Sequence, residues 1–170
     1  MLDHQIFVVR HRKENLKKCS LKGLENRNDI AFITYPCKSK MMLPPAILLT
    51  LESNTELTVA DSHYPIVLLD GTWKLAKKME DALPLSHLIK RRLPPCCRTA
   101  YPRRQTGCAL PLLGLASVEA LAVAYYLLGK EFEPLLEHYY WKEDFLSLNY
   151  HVFYGSTSTS RAIRADTRCA

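Results

Sequence analysis

The feature that most constrains the fold is a short apolar run that ends in a carboxylate, a glycine and a potential helix cap. Pro65-Ile66-Val67-Leu68-Leu69 is continuously apolar, which predicts a strand buried on both faces of a parallel sheet. The run continues into Asp70-Gly71-Thr72-Trp73, where Gly71 permits a tight turn and Thr72 can cap the next helix. This segment therefore predicts a strand, a turn and a helix in immediate succession.

Other apolar runs extend the prediction along the chain. The expected strands are residues 5–9, 30–34, 47–51 and 65–69. The expected helices cover about 73–82, 120–128 and 132–141, with a fourth beginning at 145, and 85–92 forms a short amphipathic piece. Ser117 is the expected N-cap of the second long helix, and Gly129 is expected to end that helix. Glu119 carries a negative charge near the positive end of the helix dipole, which is favourable. Strands that alternate with helices predict an α/β fold.

Composition narrows the class of protein. The chain has 170 residues, of which 48% are hydrophobic, so wholesale disorder is excluded. No apolar run reaches the roughly 18 residues of a membrane helix, and residues 1–5 do not begin a signal peptide. The 6 irregularly spaced cysteines favour a reducing cytosol. We therefore expect a cytoplasmic monomer with no membrane partner.

Positive charge is concentrated in three stretches. The formal net charge is +6, and 15 of the 23 basic residues lie in 10–22, 90–104 and 161–168. Clustered Lys and Arg displace counterions from a phosphate backbone, which favours a polyanionic partner such as RNA, the alternative being a solvated basic face. If the partner is RNA, residues 10–22 and 90–104 should flank one crevice, which contains Asp70 and Trp73. The Ser/Thr/Arg composition of 155–170 predicts a flexible basic tail.

Asp70 and Trp73 are the first candidates for chemistry. Open α/β sheets bind ligands at the carboxyl ends of their strands, where Asp70 is expected. A carboxylate there can orient a ligand amine or accept a proton, and the alternative is a structural Asp that bonds its own turn. The Trp73 indole can cover an apolar chain or attract a cationic ligand group, and the alternative is an ordinary core anchor.

Metal and dinucleotide motifs are missing from the sequence. No CxxC, HxxxH or HxE pattern occurs, so we expect no metal, and no GxGxxG follows the first strand. The loop at 112–117 can offer main-chain groups to a nucleoside, or it is a simple helix N-terminus. Tyr101, followed by Arg103 and Arg104, is the aromatic best placed to stack on a base.

Several motifs carry a family resemblance. Leu69-Asp70-Gly71-Thr72-Trp73 with Ala76-Lys77-Lys78-Met79 resembles the signature of DTW-domain proteins, the tRNA-uridine aminocarboxypropyltransferases. Three segments resemble both that family and the related rRNA aminocarboxypropyltransferases: Leu93-Pro94, Tyr101-Pro102-Arg103-Arg104 and the run 115–122. Two are more similar to the rRNA enzymes: Lys17-Lys18-Cys19-Ser20, and Trp141 with 145–149. The chain lacks the cysteine-rich N-terminal segment of DTW proteins, and has Asn15-Leu16 where the rRNA enzymes usually have Asp-Pro.

The resemblance implies both a fold and a reaction. The fold would have a small N-terminal α/β part at 1–64 and a SPOUT-like part with a trefoil knot at 65–154. S-adenosylmethionine would be the donor substrate, and its 3-amino-3-carboxypropyl group would pass to N3 of a uridine in tRNA or rRNA, releasing methylthioadenosine. A SPOUT-like RNA methyltransferase and an inactive RNA-binding module are the alternatives.

The resemblance also implies roles for particular residues. Asp70 would orient the donor's amino group or take the N3 proton, and Trp73 would bury the methyl group so that the methionine Cγ meets the uridine. Ser20 would touch the aminocarboxypropyl end. The remaining donor contacts would come from Leu69, Leu93, Leu115, Ala116 and Ser117. The RNA contacts would come from Lys17, Lys18, Tyr101, Arg103 and Arg104.

Overall fold

A parallel sheet forms the centre of the structure, and the apolar run at 65–69 belongs to its middle strand. The computed structural model describes residues 4–37, 42–102 and 113–155. Within these ranges the strands are β1 (Ile6–His11), β2 (Ile30–Tyr35), β3 (Ile47–Leu49), β4 (Ile66–Asp70) and β5 (Ile89–Arg91). Their order is β2-β1-β4-β3-β5, and each neighbouring pair is parallel. The predicted α/β class is confirmed.

Helices cover the sheet. They are α1 (Trp73–Ala82), α2 (Ser117–Leu127), α3 (Lys142–Leu148) and α4 (Tyr150–Phe153). Short 3₁₀ turns occur at Leu16–Lys18, Val59–Asp61 and Glu133–Leu136. The predicted cap of α1 is confirmed, since the Thr72 hydroxyl accepts a hydrogen bond from the Leu75 amide at 3.4 Å.

Two apolar layers lie on opposite faces of the sheet. Ile66 and Leu68 pack in the larger layer, which contains α2 and Phe145 of α3, whereas Val67 packs with Met79 of α1 in the smaller layer. Side chains alternate along a strand, so Asp70 continues the Ile66–Leu68 row toward α2. The strand that orders the core thus also directs this carboxylate.

Several predicted boundaries are wrong. The segment 132–141 holds the 3₁₀ turn Glu133–Leu136 in place of the expected helix. The amphipathic piece at 85–92 contains the edge strand β5. Ser117 is the first residue of α2 rather than its cap, which is Ala116. Gly129 does follow the end of α2, at φ +69°.

The proposed division of the chain at residue 64 stays a prediction, although strands from both sides of that position lie in the same sheet. Arg103, Arg104 and most of the basic tail lie outside the described residues. Within the described ranges, no helix is long and apolar enough to cross a membrane.

Asn149 connects the C-terminal helices to the segment that follows β5. Its side chain is fully buried, and its Oδ1 accepts from the Arg98 amide at 2.7 Å. Its Nδ2 donates to the carbonyls of Arg98 and Phe145, both at 2.8 Å. Two of these bonds satisfy the main-chain amide and carbonyl of Arg98, and the third reaches the Phe145 carbonyl, which also accepts from the Asn149 amide. Asn149 therefore holds residues 97–99 against the helical layer.

We expect Asn149→Ala to lower the free energy of unfolding by about 1–3 kcal/mol, because it leaves both polar groups of Arg98 without their partner. Urea denaturation followed by circular dichroism measures the change, and Ser147→Ala, at an exposed position of the same segment, is the control. Equal unfolding midpoints for the two variants would contradict this role for Asn149.

Candidate active site

A cavity of about 300 Å³ opens at the carboxyl edge of the sheet. Asp70 and Trp73 both line it, together with residues at the end of β3 and the start of α2. Both basic stretches contribute to its walls, the first through Cys19 and Ser20 and the second through Tyr101. The described residues of 10–22 and 90–104 therefore flank one crevice, as expected.

All eight donor-binding candidates meet in this cavity. Those that line it are Ser20, Leu69, Asp70, Trp73, Leu93, Leu115, Ala116 and Ser117. Lys17 and Lys18 lie on the exposed 3₁₀ turn just before Cys19. Arg103 and Arg104 lie outside the described residues. Distant parts of the chain thus converge on one site, as expected from the parallel sheet.

Asp70 forms the buried anionic end of the cavity. Its side chain is 4% exposed, and its Oδ2 accepts from Arg10 Nε at 2.8 Å. Its Oδ1 accepts from the Ser117 hydroxyl at 2.7 Å, and the Cys19 thiol donates to Oδ2 at 3.5 Å. The register of β1 against β4 pairs Arg10 with Asp70, so the sheet itself brings the two charges together. Removing one partner of such a buried pair typically costs about 3–5 kcal/mol.

Arg10 is held on several sides. Its guanidinium contacts Glu25 at 3.3 Å and the Cys19 sulfur at 3.4 Å, and it lies 4.6 Å from the centre of the Phe32 ring. Burial lowers the pKa of Arg10, but the hydrogen bond to Asp70 and the neighbouring negative charges outweigh it and raise the pKa overall. Arg10 therefore remains a cation and balances the charge of Asp70.

Cys19 is a buried thiol beside this ion pair. Burial raises the pKa of Cys19 to about 12, and the negative charge of Asp70 acts in the same direction. A thiol with such a pKa keeps its proton at neutral pH, so Cys19 serves as a donor to Asp70 rather than as a nucleophile.

A second buried carboxylate, Glu119, holds the opposite wall. Its side chain is fully buried; Oε2 accepts from the Thr99 hydroxyl at 2.6 Å and the Ala116 amide at 2.8 Å. Its Oε1 accepts from the Ala100 amide and the Tyr139 hydroxyl, both at 2.8 Å. Burial first, and then the charge of Glu119, raise the pKa of Tyr139, so its hydroxyl stays a donor. Glu119 therefore ties the 99–101 segment to the start of α2.

Most of Glu119's role was not predictable from the sequence. The residue lies at the positive end of the dipole of a predicted helix, a position that many exposed glutamates occupy. Only the complete loss of solvent exposure distinguishes Glu119 from them, and burial follows from the packing of α2. The apolar residues on every side of Glu119 were the one available signal, since they predict a helix that is buried all round.

The remaining cavity walls combine hydroxyl, main-chain and aromatic groups. The Ser20 hydroxyl accepts from the Val118 amide at 3.3 Å, in the first turn of α2. Within the described part of the chain, the main-chain groups of Leu93 and Leu115 have no hydrogen-bond partner. The Tyr101 hydroxyl donates to the Lys18 carbonyl at 2.6 Å, which fastens the two basic stretches to each other.

Much of the positive charge after β3 is neutralised within the protein. Lys90 pairs with Glu80 at 2.6 Å, Arg91 with Asp61 at 3.1 Å, and Arg92 with Glu56 at 3.2 Å. The exposed Lys17 and Lys18 form no ion pair with a described residue. The number of basic residues at 90–92 therefore overestimates the positive charge that is available to a polyanion.

The chain is similar to known proteins over most of its length. The chain is 30% identical over 150 residues to the 16S rRNA aminocarboxypropyltransferase of Methanococcoides burtonii, covering 86% of this chain and 82% of that protein. Its fold matches the SAM-dependent rRNA:acp-transferase Tsr3 from Vulcanisaeta distributa with a TM-score of 0.70 and 26% identity. That match covers 90% of this chain and 82% of the other. No family model matches the sequence.

We expect iodoacetamide to modify Cys19 more slowly than the less buried Cys37 at pH 7.5, with adducts mapped by mass spectrometry. Because the pKa of Cys19 is raised to about 12, its labelling rate should keep rising up to pH 10, by about tenfold per pH unit. Circular dichroism controls for unfolding across this range. A rate that levels off near pH 8.5 would show that the thiolate forms readily, contrary to the geometry around Asp70.

Proposed function

The chain belongs to the rRNA aminocarboxypropyltransferases, and we propose that it transfers the 3-amino-3-carboxypropyl group of S-adenosylmethionine to N3 of a uridine or modified uridine in ribosomal RNA. The observation that carries this proposal is a single cavity that joins a buried carboxylate, an indole and main-chain groups that form no hydrogen bond with any described residue. Methylthioadenosine is the product that such a transfer releases.

The residues of the cavity fit this donor. The cavity volume of about 300 Å³ lies at the lower end of the range for small-ligand sites, about 300–1,000 Å³. The donor carries an ammonium group and a sulfonium, and the cavity offers the Asp70 carboxylate to the first and the Trp73 indole face to the second. Leu93 and Leu115 offer main-chain groups that can hydrogen-bond an adenine edge.

Asp70 suits an orienting role better than that of a base. A carboxylate has about four acceptor positions, and three are used by Arg10, Cys19 and Ser117. The remaining position is on Oδ1, where an ammonium donor can bind. Taking a proton from uridine would instead neutralise the carboxylate and leave the charge of Arg10 without its counterion. We therefore assign Asp70 to the amino group of the donor.

The way in which the donor is positioned would then decide which of its carbons reacts. The bound donor supplies a sulfonium that activates three carbons, and the protein decides which carbon faces the uridine. With the ammonium fixed at Asp70 and the adenosine held by Leu93, Leu115, Ala116 and Ser117, the apolar wall at Trp73 would cover the methyl group. Ser20 would lie toward the aminocarboxypropyl end.

The RNA would approach from the basic side of the opening. Tyr101 lines the cavity and is bonded to Lys18, so a base that stacks on its ring would lie beside the exposed lysines 17 and 18. Arg103 and Arg104, which follow Tyr101 in the sequence, would contact the same strand. These five residues form the proposed substrate-RNA site.

Three finer assignments belong to the same proposal. The part from 65 to 154 would be SPOUT-like with a trefoil knot, and the DTW-type motif at 69–73 would mark kinship with the tRNA enzymes. The protein would act as a cytoplasmic monomer. The motif resemblance and the common position of Asp70 and Ser117 at one cavity support the first two assignments, and the irregular spacing of the cysteines supports the cytoplasmic location.

The test uses two isotopic forms of the donor with small-subunit rRNA. We expect label in the carboxyl carbon to enter the RNA, while label in the methyl group leaves as methylthioadenosine. A parallel incubation with tRNA checks the choice of RNA. Methyl label in the RNA together with S-adenosylhomocysteine would indicate a methyltransferase, and RNA binding without any transfer would indicate an inactive binding module.

A further inference from the structure

A second cavity of about 180 Å³ lies beside the first, on the other side of α1. His11, Arg12 and Lys13 at the end of β1 line it, together with Tyr35 and Lys78. The first cavity contacts α1 through Trp73, Ala76, Lys77 and Glu80, whereas the second contacts it through Leu75 and Lys78. One helix, roughly 10 Å across with its side chains, therefore separates the two cavities.

The alternation of side chains along β1 explains this arrangement. Arg10 points to the face where it bonds Asp70, so the next residue, His11, points to the opposite face. The two sites remain close, because a Cβ atom at Gly71 would lie 3.5 Å from the Cβ of His11. Consecutive residues of one strand thus belong to two neighbouring sites.

The second cavity concentrates positive charge without acidic partners. No carboxylate is among the described residues that line it, and Arg12, Lys13 and Lys78 form no ion pair with any described residue. Lys77, the neighbour of Lys78 on α1, is paired with both Glu52 and Asp81. The three cations of this cavity therefore remain available to an anion.

His11 adds a fixed neutral donor to these charges. Its side chain is 7% exposed, and its Nδ1 accepts from the Lys13 amide at 3.1 Å. The proton of the neutral ring is thus on Nε2, which has no partner among the described residues. Burial lowers the pKa of His11, followed by the charges of Lys13, Arg12 and Lys78, whereas Glu14 acts in the opposite direction. All three cations line the same cavity as the imidazole.

We propose that this cavity binds a backbone phosphate of the substrate RNA, close to the nucleotide whose base enters the first cavity. Three cations and a neutral N–H donor match a phosphodiester, which offers acceptor oxygens and one negative charge. The short distance between the cavities lets one strand occupy both. The identification of the anion as RNA rests on the proposed function, whereas the anion site rests on the geometry of residues 11–13, 35 and 78.

The test compares Lys78→Met with Lys74→Met, a matched change at an exposed position of α1 that lines neither cavity. Binding of an oligouridylate and of small-subunit rRNA is measured by fluorescence anisotropy over a range of salt concentrations. We expect Lys78→Met to weaken binding several-fold and to reduce the slope of log K against log salt by about 0.7, the single-strand value for one lost phosphate contact. Arg12→Met should behave alike.

Affinity for S-adenosylmethionine should stay unchanged in Lys78→Met, as measured by calorimetry. Equal RNA affinities and salt slopes for Lys78→Met, Arg12→Met and Lys74→Met would overturn the proposal. So would inorganic phosphate that binds this cavity and is not displaced by the oligouridylate, because the site would then serve a free anion.

The isotopic transfer assay separates this proposal from the proposed function. If no aminocarboxypropyl label reaches any RNA while the salt slope still depends on Lys78, the reaction is wrong and the phosphate site stands. If transfer occurs with an unchanged KM for rRNA in Lys78→Met, the reaction stands and the phosphate site is wrong.

Discussion

The buried ion pair between Arg10 and Asp70 is the interaction on which the rest of the site depends. Two charges in the interior are tolerated only when they are paired and their remaining acceptors are satisfied. The sheet register sets the pair, and the acceptors of Asp70 then recruit Cys19 and Ser117. One carboxylate thereby joins β1, β4, the segment after β1 and the first residue of α2.

Glu119 repeats this logic at the opposite wall. It accepts four hydrogen bonds from three separate segments: 99–100, Ala116 and Tyr139. The loop that leads into α2 is therefore held at two adjacent residues where it enters the helix, by Glu119 at Ala116 and by Asp70 at Ser117. Polar groups fixed in this way are the supporting shell that a precise ligand site requires. Leu115 lines the cavity, and its main-chain groups form no hydrogen bond with any residue that the structure describes.

Local patterns predicted four of the five described strands and α1, because each depends on a few consecutive residues, whereas β5 was not expected as a strand. The run at 65–69, the cap at Thr72 and the position of Asp70 all follow from short-range rules. Contacts between distant residues were not predictable in this way. Ser117 is suited to cap a helix, yet its hydroxyl bonds a carboxylate 47 positions earlier. Likewise, Arg91 is neutralised by Asp61, 30 positions away, so the segment 90–92 presents less positive charge to a partner than its sequence indicates.

Binding of S-adenosylmethionine to Asp70→Asn is the most direct test of this account, with Asp81→Asn, at an exposed position of α1, as the control. Asparagine keeps the shape of the side chain but replaces one acceptor oxygen with an NH₂ donor. This donor would then face another donor, either Arg10 and Cys19 or Ser117. Calorimetry on variants whose fold is confirmed by circular dichroism should show donor affinity at least about tenfold weaker, or 1.4 kcal/mol, for Asp70→Asn only. Affinity and transfer equal to those of the unmodified protein would contradict the account.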